Sequence, residues 1–390
     1  MISIKYQLIS IGHEGPLNSL VLETFLQRTK ELGLAEDSIS LLDAKNFNKE
    51  YKRNSPSVCL YFGSGSPFLH VDILKTLMAD AVYIIPIVED LTQFSILAPP
   101  ELQVINGFRL DSQDLVESLV ARTMESLSLL RSNRRLFISY RRAESRSAAI
   151  QLYEFLDRCG FDVFLDTHSI RPGDIFQDEL WHRLVDTDVV VLLDTPGFLE
   201  SKWTEQELAR ASSMSIGVLQ LIWPNHDQEP YSKLCFPIFL KDQDFVNKDF
   251  LSESAILSDN ILGKISSDVE SLRARSLASR QDNLIQEFTT TSRDLNKAAH
   301  LQPEKFITLK SNNGHDIVII PTVGVPHAFT YNQKQVLIEE IHGGNVPEIF
   351  LLYDHRNIRD KWLKHLQWLD THLPLKTLKV TELYKRLKEI

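Results

Sequence analysis

Phe137-Ile-Ser-Tyr-Arg-Arg142 decides the fold, together with four later segments in order: Asp162-Val-Phe-Leu-Asp166, Ile170-Arg-Pro-Gly-Asp174, Asp188-Val-Val-Val-Leu-Leu193 and Ser201-Lys-Trp-Thr-Glu-Gln-Glu-Leu208. Residues 136–140 form a short apolar run that ends in two arginines, as a strand leaving a buried sheet does. Ala148, Ala149, Leu152, Phe155, Leu156 and Cys159 then recur at helical spacing and give one apolar face. Gly160 stands where a left-handed helix terminator belongs. The alternation continues with strands expected over 161–165, 188–193 and 217–223, and helices over 176–185 and 203–212. Pro224 stops the last strand, and an amphipathic helix begins near Ser258, with Ile261, Leu262, Ile265, Val269 and Leu272 facing inward. Alternating strands and helices predict an α/β fold, here a flavodoxin-like, doubly wound parallel sheet.

Working outward, the same alternation occurs on both sides. Before it, strands are expected over 4–11, 57–62 and 81–88, with helices over 17–32, 68–78 and 115–130 and an interruption at Pro99-Pro100. The basic cluster Arg131-Ser-Asn-Arg-Arg135 marks a boundary. On the other side come a polar connector over 280–305, strands over 317–323, 348–353 and 378–380, helices over 333–341 and 357–369, and a basic terminal helix. The expected organisation is an N-terminal α/β module over 1–131, the doubly wound domain over 132–278, and a helical connector plus a small α/β module over 279–390.

Composition narrows the function classes. The chain has 390 residues, 43% of them hydrophobic, and a formal net charge of −10, the balance of an ordinary globular protein. That charge argues against a nucleic-acid partner, since backbone binding depends on cationic surface. The apolar runs at 82–88 and 189–193 fall far short of the ~20 residues that span a bilayer, and Met1-Ile-Ser-Ile-Lys5 lacks the basic and apolar regions of a secretory leader. Cys59, Cys159 and Cys235 are too scattered for a disulfide framework or zinc site, so a reduced, cytoplasmic protein without membrane contact is expected. Other motifs are weak. Gly63-Ser-Gly-Ser66 lacks the full dinucleotide-loop spacing and reads as a tight turn. Asp194-Thr-Pro-Gly197 resembles half of a GTPase signature without the phosphate loop that would complete it. Asp354-His355-Arg356 reads as a solvated loop. The histidines show no paired metal spacing, and no serine-hydrolase elbow occurs.

In an open α/β sheet, ligands collect beyond the carboxyl ends of the strands. The segments 140–142, 166–174 and 196–203 all follow strands and converge on that edge. Ser201 is a good N-cap for the helix expected from Trp203, and Trp203 and Glu207, four apart, share a helical face. A carboxylate beside a large aromatic, near Arg141 and Arg142, suits a sugar-phosphate ligand.

Taken together and in order, these segments resemble the Toll/interleukin-1 receptor (TIR) domain family over about residues 134–275, most clearly before Pro224. The resemblance implies an enzyme that cleaves the N-glycosidic bond of NAD+, releasing nicotinamide and leaving ADP-ribose or a cyclic isomer. The family's W-x-x-x-E pattern falls on Trp203-Thr-Glu-Gln-Glu207, which makes Glu207 the catalytic residue. Nicotinamide departs as a neutral ring while positive charge builds on the ribose, so a fixed carboxylate is the group the chemistry needs. Arg141 and Arg142 are placed to neutralise the pyrophosphate, and Tyr140, Phe164 and Trp203 to pack against ring systems; Asp166 fixes its loop. Arg171, Pro172, Gly173 and Asp174 lie in the loop that packs one TIR domain onto the next, with Arg171 departing from the acidic residue some enzymatic members carry. No metal and no cofactor beyond NAD+ as substrate is implied.

By the same resemblance the domain self-associates to become active, the flanking modules receive an activating ligand or protein, and the whole is similar to bacterial immune effectors that deplete NAD. Two alternatives stay open: a non-catalytic TIR scaffold, and a nucleoside or nucleotide glycosyltransferase. The N-terminal module has a similar strand–helix order but neither the F-I-S-Y nor the W-x-x-x-E signature.

Overall fold

The computed structural model describes residues 6–53, 55–165, 182–198, 214–228, 235–302, 305–342 and 348–390. The chain divides into two compact units. One joins Met1–Asn133 to Asp259–Arg275, and the other joins Arg134–Ser258 to Ser276–Ile390. Both units are α/β, and the described strands form three five-stranded sheets.

In the first unit, strands β1 (Tyr6–Gly12), β2 (Ile39–Leu42), β3 (Ser57–Phe62), β4 (Tyr83–Val88) and β5 (Phe108–Arg109) pair in parallel in the order β2-β1-β3-β4-β5. Helices α1 (Pro16–Glu31), α2 (Phe47–Glu50), α3 (Val71–Ala79) and α4 (Phe94–Leu97) lie in the crossovers that parallel strands require, and α5 (Val116–Ser126) follows the last strand. Ile9, Ile11, Cys59, Tyr61 and Ile84 from the strands meet Ile73, Leu74 and Leu77 of α3 in one core cluster. The turn at Gly63-Ser-Gly-Ser66 is structural. The Gly63 N–H donates to the Ile87 carbonyl at 2.8 Å, and the Gly65 N–H donates to the Leu97 carbonyl at 3.1 Å.

The second unit holds the doubly wound sheet. Strands β6 (Arg135–Ser139), β7 (Asp162–Leu165), β8 (Val189–Asp194), β9 (Gly217–Ile222) and β10 (Phe236–Phe239) are all parallel, in the order β10-β9-β8-β6-β7. All six residues of β8 are buried, which is why its sequence is a continuous apolar run rather than an alternation. Helix α6 (Arg142–Arg158) buries Ala148, Ala149, Leu152 and Leu156 completely. It ends as the glycine foretells: Gly160 takes φ 87°, and the Phe161 N–H reaches back to the Leu156 carbonyl at 3.1 Å. Residues 182–186 are helical; the rest of the helix expected over 176–185, and the one over 203–212, lie outside the described residues.

Residues 280–294 of the expected helical connector are helical and belong to a longer element. Helix α7 runs unbroken from Asp259 to Asp294, 36 residues. Leu284, Ile285 and Phe288 continue the apolar face past the polar stretch and pack on the third sheet. That sheet consists of β11 (Ala299–Leu301), β12 (Ile307–Lys310), β13 (Asp316–Pro321), β14 (Glu348–Tyr353) and β15 (Lys376–Lys379) in sequence order. Its first three strands are antiparallel and its last three parallel. It is covered on both faces. Val318, Ile320, Ile349 and Leu351 face α8 (Ala328–His342) and α9 (Asp360–His372), while Ile317, Ile319, Phe350 and Leu352 face α7 and α10 (Leu383–Glu389). Val185 and Phe306 join the cluster under α8 and α9, so the doubly wound domain and the C-terminal module share one core. Asp186 seals the junction: it accepts the Val325 N–H at 3.1 Å and pairs with Arg135.

Arg28 of α1 is the buried charge that organises the first unit. Its side chain is only 7% exposed and bonds both oxygens of Glu117, Glu31 Oε2 at 2.7 Å and Ser271 Oγ at 2.7 Å. Removing its main partner leaves a desolvated guanidinium with Glu31 and Ser271 alone. Glu117→Ala is therefore expected to cost about 1–3 kcal/mol, read as a lower chemical-denaturation midpoint; an unchanged midpoint contradicts this role.

Candidate active site at the carboxyl edge of the second sheet

The strand order of the second sheet reverses between β6 and β8, since β7 lies on one side of β6 and β8 on the other. The chain leaves these two strands toward opposite sides of the sheet, and it is at such a reversal that doubly wound sheets bind ligands. Polar groups concentrate at this edge. Ser139 ends β6 and Thr195 comes directly after β8; both are buried, and neither hydroxyl has a hydrogen-bond partner among the described residues. A buried hydroxyl without a partner costs about 1–3 kcal/mol, so each marks a place where another polar group is owed.

Arg141 and Arg142 sit at this edge too. Arg141 is the N-cap residue of α6 and Arg142 its first helical residue. The Arg141 guanidinium bonds Glu144 Oε1 at 2.8 Å, and the other oxygen of Glu144 accepts the Gly197 N–H at 3.1 Å. The loop after β6 is thereby tied to the loop after β8. Gly197 leaves room for the Arg141 guanidinium in this position: a Cβ there would lie 1.3 Å from Arg141 Nη1, so a larger residue would displace that side chain. Tyr140 is buried beside the arginines, and Arg142 is exposed.

Phe164 is placed differently from its neighbours in this set. It belongs to the core cluster with Phe137, Leu184, Val190, Leu192 and Phe198. Its ring stacks on Phe137 at 5.4 Å, and the Arg183 guanidinium lies 4.3 Å from its ring centre. The structure thus brings Tyr140, Arg141 and Arg142 together and sets Phe164 inside the sheet's packing. Asp166, Arg171, Pro172, Gly173, Asp174, Trp203 and Glu207 lie outside the described residues.

A polar network not foreseen from sequence completes the edge. Asp194, the buried last residue of β8, accepts Gln220 Nε2 at 2.7 Å and lies 3.2 Å from His226 Nε2. Gln228 donates in turn to Gln220 Oε1 at 2.9 Å. The signal was present, since Gln220 interrupts an otherwise apolar strand and a buried polar side chain needs a partner. Cys235 belongs to the same neighbourhood: burial, and then the negative charge of Asp194, push its thiol up to about 11. Among the described residues no group of three His, Cys, Asp or Glu side chains is arranged to hold a metal, and no helix is long and apolar enough to cross a membrane.

Comparison with known proteins bears on the segment that contains this edge. Residues 136–249 match the TIR domain family, so this stretch of the chain is a TIR domain. A Brachypodium distachyon protein, BdTIR, described as a probable 2′ cyclic ADP-D-ribose synthase, is 32% identical over 75 residues, which cover 19% of this chain and 34% of that protein. The chain thus spans about a third of the length of the curated relative it matches. A crystal structure of a protein described as a phosphosugar isomerase, from Silicibacter pomeroyi, aligns over 72% of this chain and 87% of its own at 9% identity. Its TM-score of 0.19 is too low to carry an argument about fold or function.

The position of Cys235 gives a direct check on the edge. With the thiol pushed up to about 11, roughly one part in a thousand is thiolate at pH 8, and the thiolate is the reactive form. Cys235 in the native protein is expected to react with a thiol reagent at pH 8 at least tenfold more slowly than in the denatured chain, and faster as pH rises toward 11. Equal rates in the two states contradict this placement.

Proposed function

We propose that the TIR domain cleaves the bond between nicotinamide and ribose in NAD+, with Glu207 as the carboxylate that stabilises the reacting sugar. The observation that carries this reading is that Trp203-Thr-Glu-Gln-Glu207 falls inside the matched segment 136–249, in the stretch between β8 and β9. That stretch leaves the sheet at the edge where Ser139, Arg141, Asp194 and Thr195 gather. The name of the Brachypodium relative, a cyclic ADP-ribose synthase, supports the same chemistry.

The reaction asks little of an acid and much of a fixed negative charge. The C1′–N1 bond breaks with its electron pair passing to the pyridinium nitrogen, and nicotinamide leaves neutral. The ribose is left with oxocarbenium character. The Glu207 carboxylate offsets that charge and accepts a ribose hydroxyl hydrogen bond, in a site whose low dielectric strengthens both. Water adding at C1′, with loss of its proton, gives ADP-ribose; an internal nucleophile of the same molecule gives a cyclic isomer. Arg142, exposed at the start of α6, is placed for the pyrophosphate. Arg141 holds the two loops in register through Glu144 and Gly197. Trp203 packs against a ring of the substrate, and the loop containing Arg171, Pro172, Gly173 and Asp174 packs against a second copy, so that activity rises with assembly. The cellular role that fits such an enzyme is depletion of NAD in an immune or cell-death response.

The test is release of nicotinamide from NAD+ by the full chain, measured by chromatography across a range of protein concentrations. Glu207→Ala and Glu207→Gln are each expected to lower the rate by about a hundredfold or more, with thermal stability unchanged, while Glu205→Ala retains most of it. The wild-type rate per molecule is expected to rise with concentration. Release that survives both substitutions removes Glu207 from the mechanism, and a wild-type chain that assembles yet releases no nicotinamide leaves a scaffold.

A further inference from the structure

The first unit contains a cavity of its own at the corresponding edge of its sheet. It measures about 670 Å³ and lies where β1 and β2 end and α1 begins. That volume falls within the roughly 300–1,000 Å³ of small-molecule sites. The strand order β2-β1-β3 puts it beside the point where successive connections diverge, which is where doubly wound sheets place their ligands. We propose that this cavity binds a small phosphorylated molecule of mononucleotide size, with the phosphate at the start of α1 and the remainder against the apolar walls.

Four observations point to that chemistry. The link from β1 to α1, Gly12-His-Glu-Gly-Pro16, is short and holds two glycines. Gly12 takes φ 98°, and a Cβ there would lie 2.2 Å from the Phe62 carbonyl oxygen, so packing alone accounts for that glycine. Gly15 has no such reason. Its backbone is extended, and a Cβ would meet nothing closer than Asn18 Oδ1 at 3.5 Å. A glycine free of packing demand at the N-cap leaves the approach to the helix end open.

Second, α1 begins without compensation: Gly15 supplies no side-chain cap, and the first turn carries no acidic residue. A 16-residue helix presents partial positive charge at that end. Third, the cavity is lined by imidazoles. His70 Nδ1 accepts the Gly12 N–H at 3.1 Å, which leaves Nε2 as the donor. The half-buried His13 lines the same cavity. Fourth, the remaining walls are mixed. Leu8, Leu22, Leu41 and Leu42 provide apolar surface, and the exposed Lys45 adds a cation. Of the two carboxylates present, Asp43 is committed to the Lys45 and Asn46 amides at 2.8 and 2.9 Å, and Glu14 is exposed.

Gly15→Asp separates binding from folding. Aspartate is a better N-cap than glycine and stabilises the helix start, yet it puts a carboxylate where the phosphate belongs. Ser19→Glu, at an exposed position one turn into α1, adds a second repelling charge in the same cavity. The experiment is calorimetric titration of the full chain with ADP, ribose 5-phosphate and inorganic phosphate. At least one of these is expected to bind the wild type, and both variants to weaken it tenfold or more with the melting temperature unchanged or raised. Binding of ADP alone assigns a nucleotide; equal binding of all three assigns recognition to the phosphate itself. Glu207→Ala is expected to leave this binding intact, so failure here and failure of the NAD-cleaving reading are distinguishable. No heat with any probe, or binding undiminished in Gly15→Asp and Ser19→Glu, overturns the proposal.

Discussion

Six consecutive buried residues, Val189–Asp194, set the terms for the TIR domain. A strand covered on both faces has no room for polar side chains along its length, because burying them unpaired costs more than packing returns. Polar chemistry is therefore displaced to the strand's carboxyl end, where Asp194 must be paired at once. Gln220 and His226 meet that demand. Among the described residues, Ser139, Arg141, Asp194 and Thr195 are consequently gathered at one edge, at the ends of β6 and β8 and in the loops after them.

The same reasoning explains why the chain repeats an architecture without repeating a site. The first sheet has the strand order β2-β1-β3-β4-β5, and the second, read from β7, has the equivalent order β7-β6-β8-β9-β10. In each the first strand lies inside the sheet and its successors run outward in both directions. Edge chemistry differs nonetheless. In the second sheet a double arginine comes after β6, with Arg141 clamped by Glu144 over Gly197. In the first, a glycine-bounded turn leads into an uncapped helix beside two histidines. Shared topology fixes where ligands gather, and the residues placed there decide which ligand.

Burial governs how much of this was legible in the sequence. Strands β3, β4 and β8 were readable as continuous apolar runs, and the end of α6 from Gly160. Strand β2 escaped because Ile-Ser-Leu-Leu is too short to show a period. Strand β10 was hidden by Pro237, which is tolerated only because β10 lies at the sheet edge. Helix α7 looked like two elements because its polar residues mask Leu284, Ile285 and Phe288, which become a face only once the third sheet is there to receive them. At the sheet edge, the positions of Tyr140, Arg141 and Arg142 were legible because they come directly after a strand. Phe164 was harder, since a short buried strand does not declare which face meets core and which meets ligand; here its ring is taken up by Phe137 and Arg183. Glu144 and Gly197 went unread because their role arises from two loops distant in sequence.

The central claim is that one carboxylate is held against the sugar from which nicotinamide departs. It is tested most directly by the crystal structure of the full-length Glu207→Gln variant, assembled and bound to intact NAD+. The account predicts the residue 207 carboxamide within about 3.2 Å of a hydroxyl on the nicotinamide-bearing ribose, with the pyrophosphate toward the start of α6. A dinucleotide bound with that ribose remote from residue 207 would contradict it.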